Sequence, residues 1–459
     1  MLKLSVGAPS GCLTQIVSHF GATTLSEEEE IMSTLKRLRN SWILWVTTIV
    51  IACFSNAVAQ VKYRVTDLGT QGTDNMAMVM SVNDQGWSEI MVAHMPPGQQ
   101  DSIFGTLLNG RALIDVDGFK LDLGTLGGPD SWMNWGEVND WGQVVGDSET
   151  AVPDPNGEDI CGFGTHLTCL PFLWQLFHMS ALPTLGGNNG QASAINNRGQ
   201  IVGFAENGSV DSTCPAPPYP RNRIQLPVLW TNGKAQPQAL PTVDGDPDGD
   251  AFWINDQGQA VGDSGNCTGT IIHAVSWENG KASALPDYGT GSIAQGINNR
   301  GQIVGTVGSA DNTTQYGSIW QNGVLTALTL LPGDFGGIAS GINDKGQVVG
   351  ENFDSNFNWS HGFIYQNGVM TDLNTLFPAS ANLFAVFAAK INERGQIGGM
   401  AIVISGPEAG ALHAFLATPT NQSMGKSVAD IAPTRPKSNV AVNVGEQHLP
   451  RFLVGHCHR

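Results

Sequence analysis

Basic residues are scarce in this chain: lysine and arginine total 22 against 40 aspartates and glutamates over 459 residues. The shortage is uneven. Residues 1–59 balance Lys3, Lys36, Arg37 and Arg39 against Glu27, Glu28, Glu29 and Glu30, and residues 420–459 are net basic. With the tail at +3 and the whole chain at −18, the stretch between those two ends carries −18 − 3 = −21. A surface that acidic repels phosphate backbones, which argues against nucleic acid or an anionic membrane surface as a partner. Also missing is any apolar period near 3.6 residues, which excludes a helical array. No H-E-x-x-H, no G-x-S-x-G and no phosphate-cradling glycine loop is present, so the common sequence signatures of metalloproteases, α/β-hydrolases and nucleotide enzymes are absent.

Lys36, Arg37 and Arg39 precede an apolar run, Trp42 to Ala52, that is shorter than the ~20 residues a membrane span needs. The run ends near Ala57-Val58-Ala59. A basic segment, a short apolar stretch and an A-x-A site read together as a secretory signal peptide cleaved before Gln60, with Met32 an alternative start. Two other readings stay open: an uncleaved anchor, and a lipobox, Val50-Ile51-Ala52-Cys53, that tethers the protein through a lipidated Cys53. The expected location is secreted, periplasmic or at the cell surface. An oxidising compartment favours pairing Cys161, Cys169, Cys214 and Cys267. Zinc is the competitor, but there is no C-x-x-C and no nearby histidine pair. His456-Cys457-His458 lies in a tail, 420–459, whose composition predicts disorder.

What is abundant is repetition. One phrase returns seven times, beginning at Val82-Asn83, Val138-Asn139, Ile195-Asn196, Ile254-Asn255, Ile297-Asn298, Ile342-Asn343 and Ile391-Asn392. Its full form is Ile297-Asn298-Asn299-Arg300-Gly301-Gln302-Ile303-Val304-Gly305. Each repeat reads as four short strands, a to d. Strand a ends at the asparagine and an Asn-x-x-Gly turn leads to strand b. Strand c ends in an aromatic residue before an Asn-Gly hairpin, as at Trp277 and Asn279-Gly280, and strand d follows. Four strands repeated radially describe β-propeller blades. The array begins with a lone strand d, Tyr63 to Thr70, and ends with a lone strand c, His413 to Ala417. Pairing the two completes a seventh blade and removes the open edge. The expected fold is all-β: a seven-bladed propeller of four-stranded antiparallel blades over residues 60–419. Strand c of the first blade fits least well, near Phe104 to Leu108.

These residues resemble the HAF repeats of bacterial extracellular proteins. The likeness rests on the Ile-Asn-x-x-Gly-Gln-Ile-Val-Gly phrase, on His413-Ala414-Phe415-Leu416 with the weaker His273-Ala274-Val275 and His361-Gly362-Phe363-Ile364, and on Leu-Gly-Thr-Leu-Gly-Gly links such as 123–128. The resemblance implies secretion and a repeat fold, and no reaction.

Candidate sites follow from the register. The a–b turns are uniform, whereas the b–c loops vary, at about 149–170, 206–225 and 264–270. Variable loops on one face point to a ligand surface on the b–c and d–a side of blades two to four. Placing Cys161 and Cys169 in one loop, and Cys214 and Cys267 in adjacent loops, predicts the disulfides Cys161–Cys169 and Cys214–Cys267. Asp244, Asp246, Asp248 and Asp250 offer hard oxygen ligands around a tight turn, and calcium is the cofactor this suggests; a solvated acidic loop is the other reading. Trp132, Trp135 and Trp253 fall near strand a, where they either stack on a sugar ring or pack between blades. Gly262-Asp263-Ser264-Gly265 looks like a trypsin-type nucleophile segment but is strand b of blade four. The expected function is a secreted binding or scaffold propeller, monomeric, for an extracellular glycan or protein. The alternative is a glycan lyase or hydrolase working in the central funnel.

Overall fold

The computed structural model describes residues 61–95, 108–133, 137–215, 221–231, 236–355 and 359–420. Residues 1–60, with Cys53 and the segment read as a signal peptide, Trp135, and the tail after Thr420 lie outside the described residues. What is described is all-β, interrupted by two short 3-10 turns at Leu373–Leu376 and Ala379–Ala381.

Five four-stranded antiparallel sheets and one eight-stranded sheet account for the strands, a propeller-like arrangement. The fifth repeat shows the plan: Ser292–Ile297 pairs with Ile303–Gly308, which pairs with Gln315–Gln321, which pairs with Val324–Ala327. The eight-stranded sheet contains two such sets. In one, Leu383–Ile391, Ile397–Val403 and Leu412–Thr420 are followed by the chain's first strand, Lys62–Gly69, which runs antiparallel to Leu412–Thr420. The other set is the first repeat, joined to this one by a single parallel bridge, Met76↔Leu412. Strand c of the first repeat is Leu108–Val116, beyond the segment expected for it. Its hairpin turns on Asp117-Gly118, both at positive φ, instead of the Asn-Gly pair seen in later repeats.

The repeated phrase has a physical reason at nearly every position. In the fifth repeat Asn298 Oδ1 accepts from the backbone N of Arg300 and of Gln302, both at 3.0 Å, while Asn298 Nδ2 donates to Gln302 Oε1 at 2.8 Å. Gly301 closes the turn at φ +72°, where a side chain would be strained. The Ile and Val positions are buried. The glycine ending the phrase faces a bulge in strand a: a Cβ on Gly305 would stand 2.0 Å from the Ile293 carbonyl oxygen. Where the first repeat replaces Gln by Trp87, the indole packs instead against Gly142 of the next repeat.

The core lies between neighbouring sheets. Val145, Leu173, Ile201, Val228 and Trp230 join repeats two and three, and comparable clusters join each later pair. Trp230, Trp277 and Trp320 are fully buried, and each Nε1 donates to a proline carbonyl in the link before its sheet, Pro183, Pro241 and Pro286, at 2.7–2.8 Å. Truncating any of them would cost roughly 3–5 kcal/mol. Polar clasps hold strand c, to the d–a link through His273 Nδ1–Asp246 and His361 Nδ1–Asp334 and to the paired strand Lys62–Gly69 through His413 Nδ1–Asp67, at 2.9–3.0 Å. The histidines of the His-Ala-Phe phrase thus have a structural task.

Candidate functional site

The asparagines of the seven turns form a hydrogen-bonded circuit. Each Nδ2 donates to the backbone carbonyl of the next: Asn83 to Asn139 (3.0 Å), Asn139 to Asn196 (3.2 Å), Asn196 to Asn255 (3.0 Å) and Asn255 to Asn298 (3.0 Å). Asn298 donates to Asn343 (2.9 Å), Asn343 to Asn392 (3.0 Å), and Asn392 back to Asn83 (2.8 Å). A second circuit lies one residue further along each turn. The side-chain oxygens of Asp140, Asn197, Asp256, Asn299, Asp344, Glu393 and Asp84 each accept the backbone N of the preceding member, at 2.6–3.0 Å. Five carboxylates and two amides therefore fringe one mouth. Desolvation, with Asp140 adding repulsion, raises the pKa of Asp84; desolvation, with Asp344 and Asp84, raises that of Glu393. One residue further out stand Trp141, Arg198, Arg300, Lys345 and Arg394, all exposed. Trp141 is 75% exposed, yet its Nε1 is pinned to the Asn197 carbonyl at 2.9 Å.

Inside this mouth is a cavity of about 140 Å³. Its floor is set two residues before each asparagine, where Ser81, Glu137, Trp253, Gly296, Gly341 and Lys390 line it. Lys390 crosses the floor: its Nζ donates to the Ser340 carbonyl at 2.9 Å and the Gln295 carbonyl at 3.4 Å, and lies 3.6 Å from the Trp253 ring centroid. Desolvation pulls its pKa down to about 7, against the attraction of Glu137. Glu137 accepts the Ile195 backbone N at 3.2 Å. It is partly open to the cavity and otherwise enclosed, and desolvation pushes its pKa well above the ordinary value although Lys390 pulls it down. Glu89, fully buried, is raised by desolvation and then by Glu137. Met80, Met91, Phe252, Ile293, Phe387 and Met400, drawn from four repeats, belong to one buried apolar cluster.

Of the three tryptophans expected near a ligand, Trp253 lies on this floor, wedged between the cores of repeats three to five. Trp132 is half-buried against Phe163, edge to face at 5.6 Å, and Trp135 lies outside the described residues. The aspartates do not fan around a turn. Asp248 begins a strand, so Asp248 and Asp250 sit two residues apart along an extended backbone, where side chains on one face are ~7 Å apart. Asp246 accepts from Ser264 Oγ at 2.6 Å and pairs with His273; Asp248 pairs with Arg221 at 3.3 Å and accepts the Gln225 N at 2.9 Å. Asp244 is exposed. Among the described residues no three of the four bring carboxylate oxygens within 4.8 Å of one another.

Both expected disulfides are present: Cys161–Cys169 with Cα atoms 5.5 Å apart and Cys214–Cys267 at 5.0 Å. They fit an oxidising, non-cytoplasmic compartment. Among the described residues no helix is long and apolar enough to cross a membrane. The long b–c insertions, where a ligand surface was expected, bind one another. Glu158 Oε1 accepts the backbone N of Asn222 (2.6 Å) and Arg223 (3.1 Å), Asn189 Nδ2 donates to Asp154 (2.9 Å), and Cys267 N donates to Thr213 Oγ1 (3.0 Å). A cavity among the described residues opens at the a–b turns. Glu137, Trp141 and Lys390 were missed from the sequence; aligning the repeats on their asparagines shows Trp141 as the aromatic at a position otherwise Gln, Arg or Lys, whereas Glu137 and Lys390 share a position too variable to single them out.

No family model and no curated protein matches the chain. It is similar to solved structures at low identity. One is streptogramin B lyase: 9% identity, 78% of this chain and 98% of that one, TM-score 0.43. Another is a gluconolactonase from Xanthomonas campestris: 10% identity, 80% and 93% covered, TM-score 0.39. A third is YCF48 bound to D1 peptide: 12% identity, 78% and 96% covered, TM-score 0.37.

Proposed function

We propose that this chain is an exported, closed, seven-bladed propeller of the HAF-repeat kind that binds a glycan at the mouth formed by its a–b turns. Two unbroken hydrogen-bond circuits, and the pairing of Lys62–Gly69 with Leu412–Thr420, support the blade count and the closure. The observation that carries the binding reading is Trp141. An indole left 75% exposed but held by its own N–H is a rigid apolar platform, and it stands beside carboxylates and amides that accept and donate to hydroxyls. Neutral, polyhydroxylated ligands suit a rim on which five acids and four cations alternate over a polar cavity.

A second reading, a glycan-cleaving enzyme, draws on Glu89 and Glu137 near the floor. Both are pushed toward the protonated form, so they do not divide into an acid and a base as such chemistry requires. Binding is favoured for that reason. A glycan array with the secreted protein, followed by Trp141→Ala on any hit, tests the reading. Loss of one aromatic contact of about 1 kcal/mol should weaken binding roughly fivefold to tenfold, with an unchanged melting temperature. Equal binding by the variant, or no glycan retained by the wild type, would overturn it, and release of product from a hit would favour the enzyme.

A further inference from the structure

The c–d hairpin of the second repeat breaks a rule that the other described hairpins keep. Elsewhere the two turn residues are Asp117-Gly118, Asn279-Gly280, Asn322-Gly323 and Asn367-Gly368, all in the left-handed region that such residues tolerate. In the second repeat they are Leu176 at φ 51° and Phe177 at φ 63°. Bulky side chains resist that backbone by about a factor of ten each in equilibrium. The return within the fold is a single ring contact among the described residues, Phe177 edge-on to Trp174 at 5.8 Å. Leu176 is 90% exposed and Phe177 82%, the two most exposed large apolar side chains described. Strained, solvent-facing apolar residues at a turn tip point to a contact outside the chain.

The surroundings favour a lipid surface as that contact. A turn tip is convex, and a hydrocarbon layer demands no matching pocket. The hairpin Leu167–Ala181 contains no Asp, Glu, Lys or Arg. Within each sheet the a–b turns and c–d hairpins leave at the same end, and there the preceding repeat presents Phe119, 70% exposed. The first described strand enters at that end too, because Lys62 pairs with Thr420, where strand c of the closing set stops. Whatever precedes Lys62, including the apolar run Trp42 to Ala52 read as meeting a membrane during export, therefore joins the fold on this side. Neutral headgroups fit best. The chain is net −18, and the turn position that holds Arg198, Arg300, Lys345 and Arg394 elsewhere is Gln85 in the first repeat and Trp141 in the second. Lys120, next to Phe119, is turned back to the Thr70 carbonyl at 3.2 Å.

We propose that the Leu176–Phe177 tip inserts into the interfacial layer of a zwitterionic lipid surface and seats the protein there. The hairpin forms the edge of its sheet farthest from strand a, so contact at its tip leaves the mouth at the a–b turns open.

The test is co-sedimentation of the full secreted chain, which begins at Gln60, with phosphatidylcholine vesicles raised through the millimolar range. Each large apolar side chain taken out of water contributes roughly tenfold or more to partition, so Leu176→Asn combined with Phe177→Gly should lower it about a hundredfold. The same pair restores the Asn-Gly of the other repeats, so the variant should melt at a higher temperature than the wild type. Vesicles enriched in phosphatidylglycerol should bind more weakly, because the chain is acidic. Equal partition by wild type and paired variant overturns the proposal. So does absence of wild-type binding, which would leave an apolar pocket of a partner protein as the tip's occupant. A lower melting temperature in the variant would show that Leu176 and Phe177 serve the fold, and tighter binding to phosphatidylglycerol would assign the contact to the rim cations; either result overturns it as well. The vesicles carry no sugar, so the outcome is independent of the glycan reading.

Discussion

Glu351 lies on strand b of the sixth repeat, buried to 3% exposure, with Oε2 lacking a partner among the described residues. Desolvation alone raises its pKa to about 8. No charge complicates the shift, which makes this glutamate a clean probe of the interior. The folded state holds the proton more tightly than the unfolded chain. Its contribution to stability is therefore complete below the unfolded value near 4.5 and is lost as pH rises toward about 8, after which it is constant. Other raised carboxylates act in the same direction, so the wild-type profile alone does not isolate Glu351. The difference between Glu351→Gln and wild type does. That difference should rise by about 1.4 kcal/mol per pH unit between roughly pH 5 and 8 and then level off. Urea unfolding at half-unit steps from pH 5 to 9, followed by tryptophan fluorescence, measures it. A difference that stays flat across that window would refute the claim that Glu351 is neutral in the folded protein.

Asn298→Ala removes two backbone caps and the donation to the Asn343 carbonyl, so it should cost about 2–3 kcal/mol in urea unfolding; Asn298→Asp keeps the caps but sets a carboxylate oxygen against the Asn343 and Gln302 oxygens, and should cost at least as much. Opening Cys214–Cys267, whose residues are 53 apart, should cost about 4 kcal/mol by loop entropy, against about 2.5 kcal/mol for Cys161–Cys169, at a separation of 8. Paired Cys-to-Ser variants followed by thermal melts check the order. Calcium or chelator should leave the melting temperature unchanged, because Asp246 and Asp248 already spend their oxygens on Ser264, His273, Arg221 and Gln225. A calcium-dependent rise, lost in Asp244→Asn, would reverse this.

The strand plan could be read from the residues because the phrase is dense with local causes: an asparagine that caps its own turn, a glycine that must be left-handed, and an Asn-Gly hairpin. The first repeat escaped because Asp117-Gly118 does the work of Asn-Gly while Asn109-Gly110, a stronger signal on paper, lies inside the strand. The cysteine pairs followed from register, since adjacency of loops is a property of the repeat. On the b–c face that loop length pointed to, the insertions contact one another, and Asp246 and Asp248 are drawn into a clasp and a strand. Lys390 and Glu137 come from repeats far apart in sequence, and their place in the lining of one cavity depends on an interior that no local pattern describes.

The first described strand waits for the last. His413 and Asp67 meet across 346 residues of chain, and among the described residues Lys62–Gly69 ladders only with Leu412–Thr420. An N-terminal piece of this protein that stops short of Leu412–Thr420 must therefore carry an unmated edge. Delivery across a membrane from the amino end would leave that edge exposed throughout transit, a period in which a holding chaperone has something to grip.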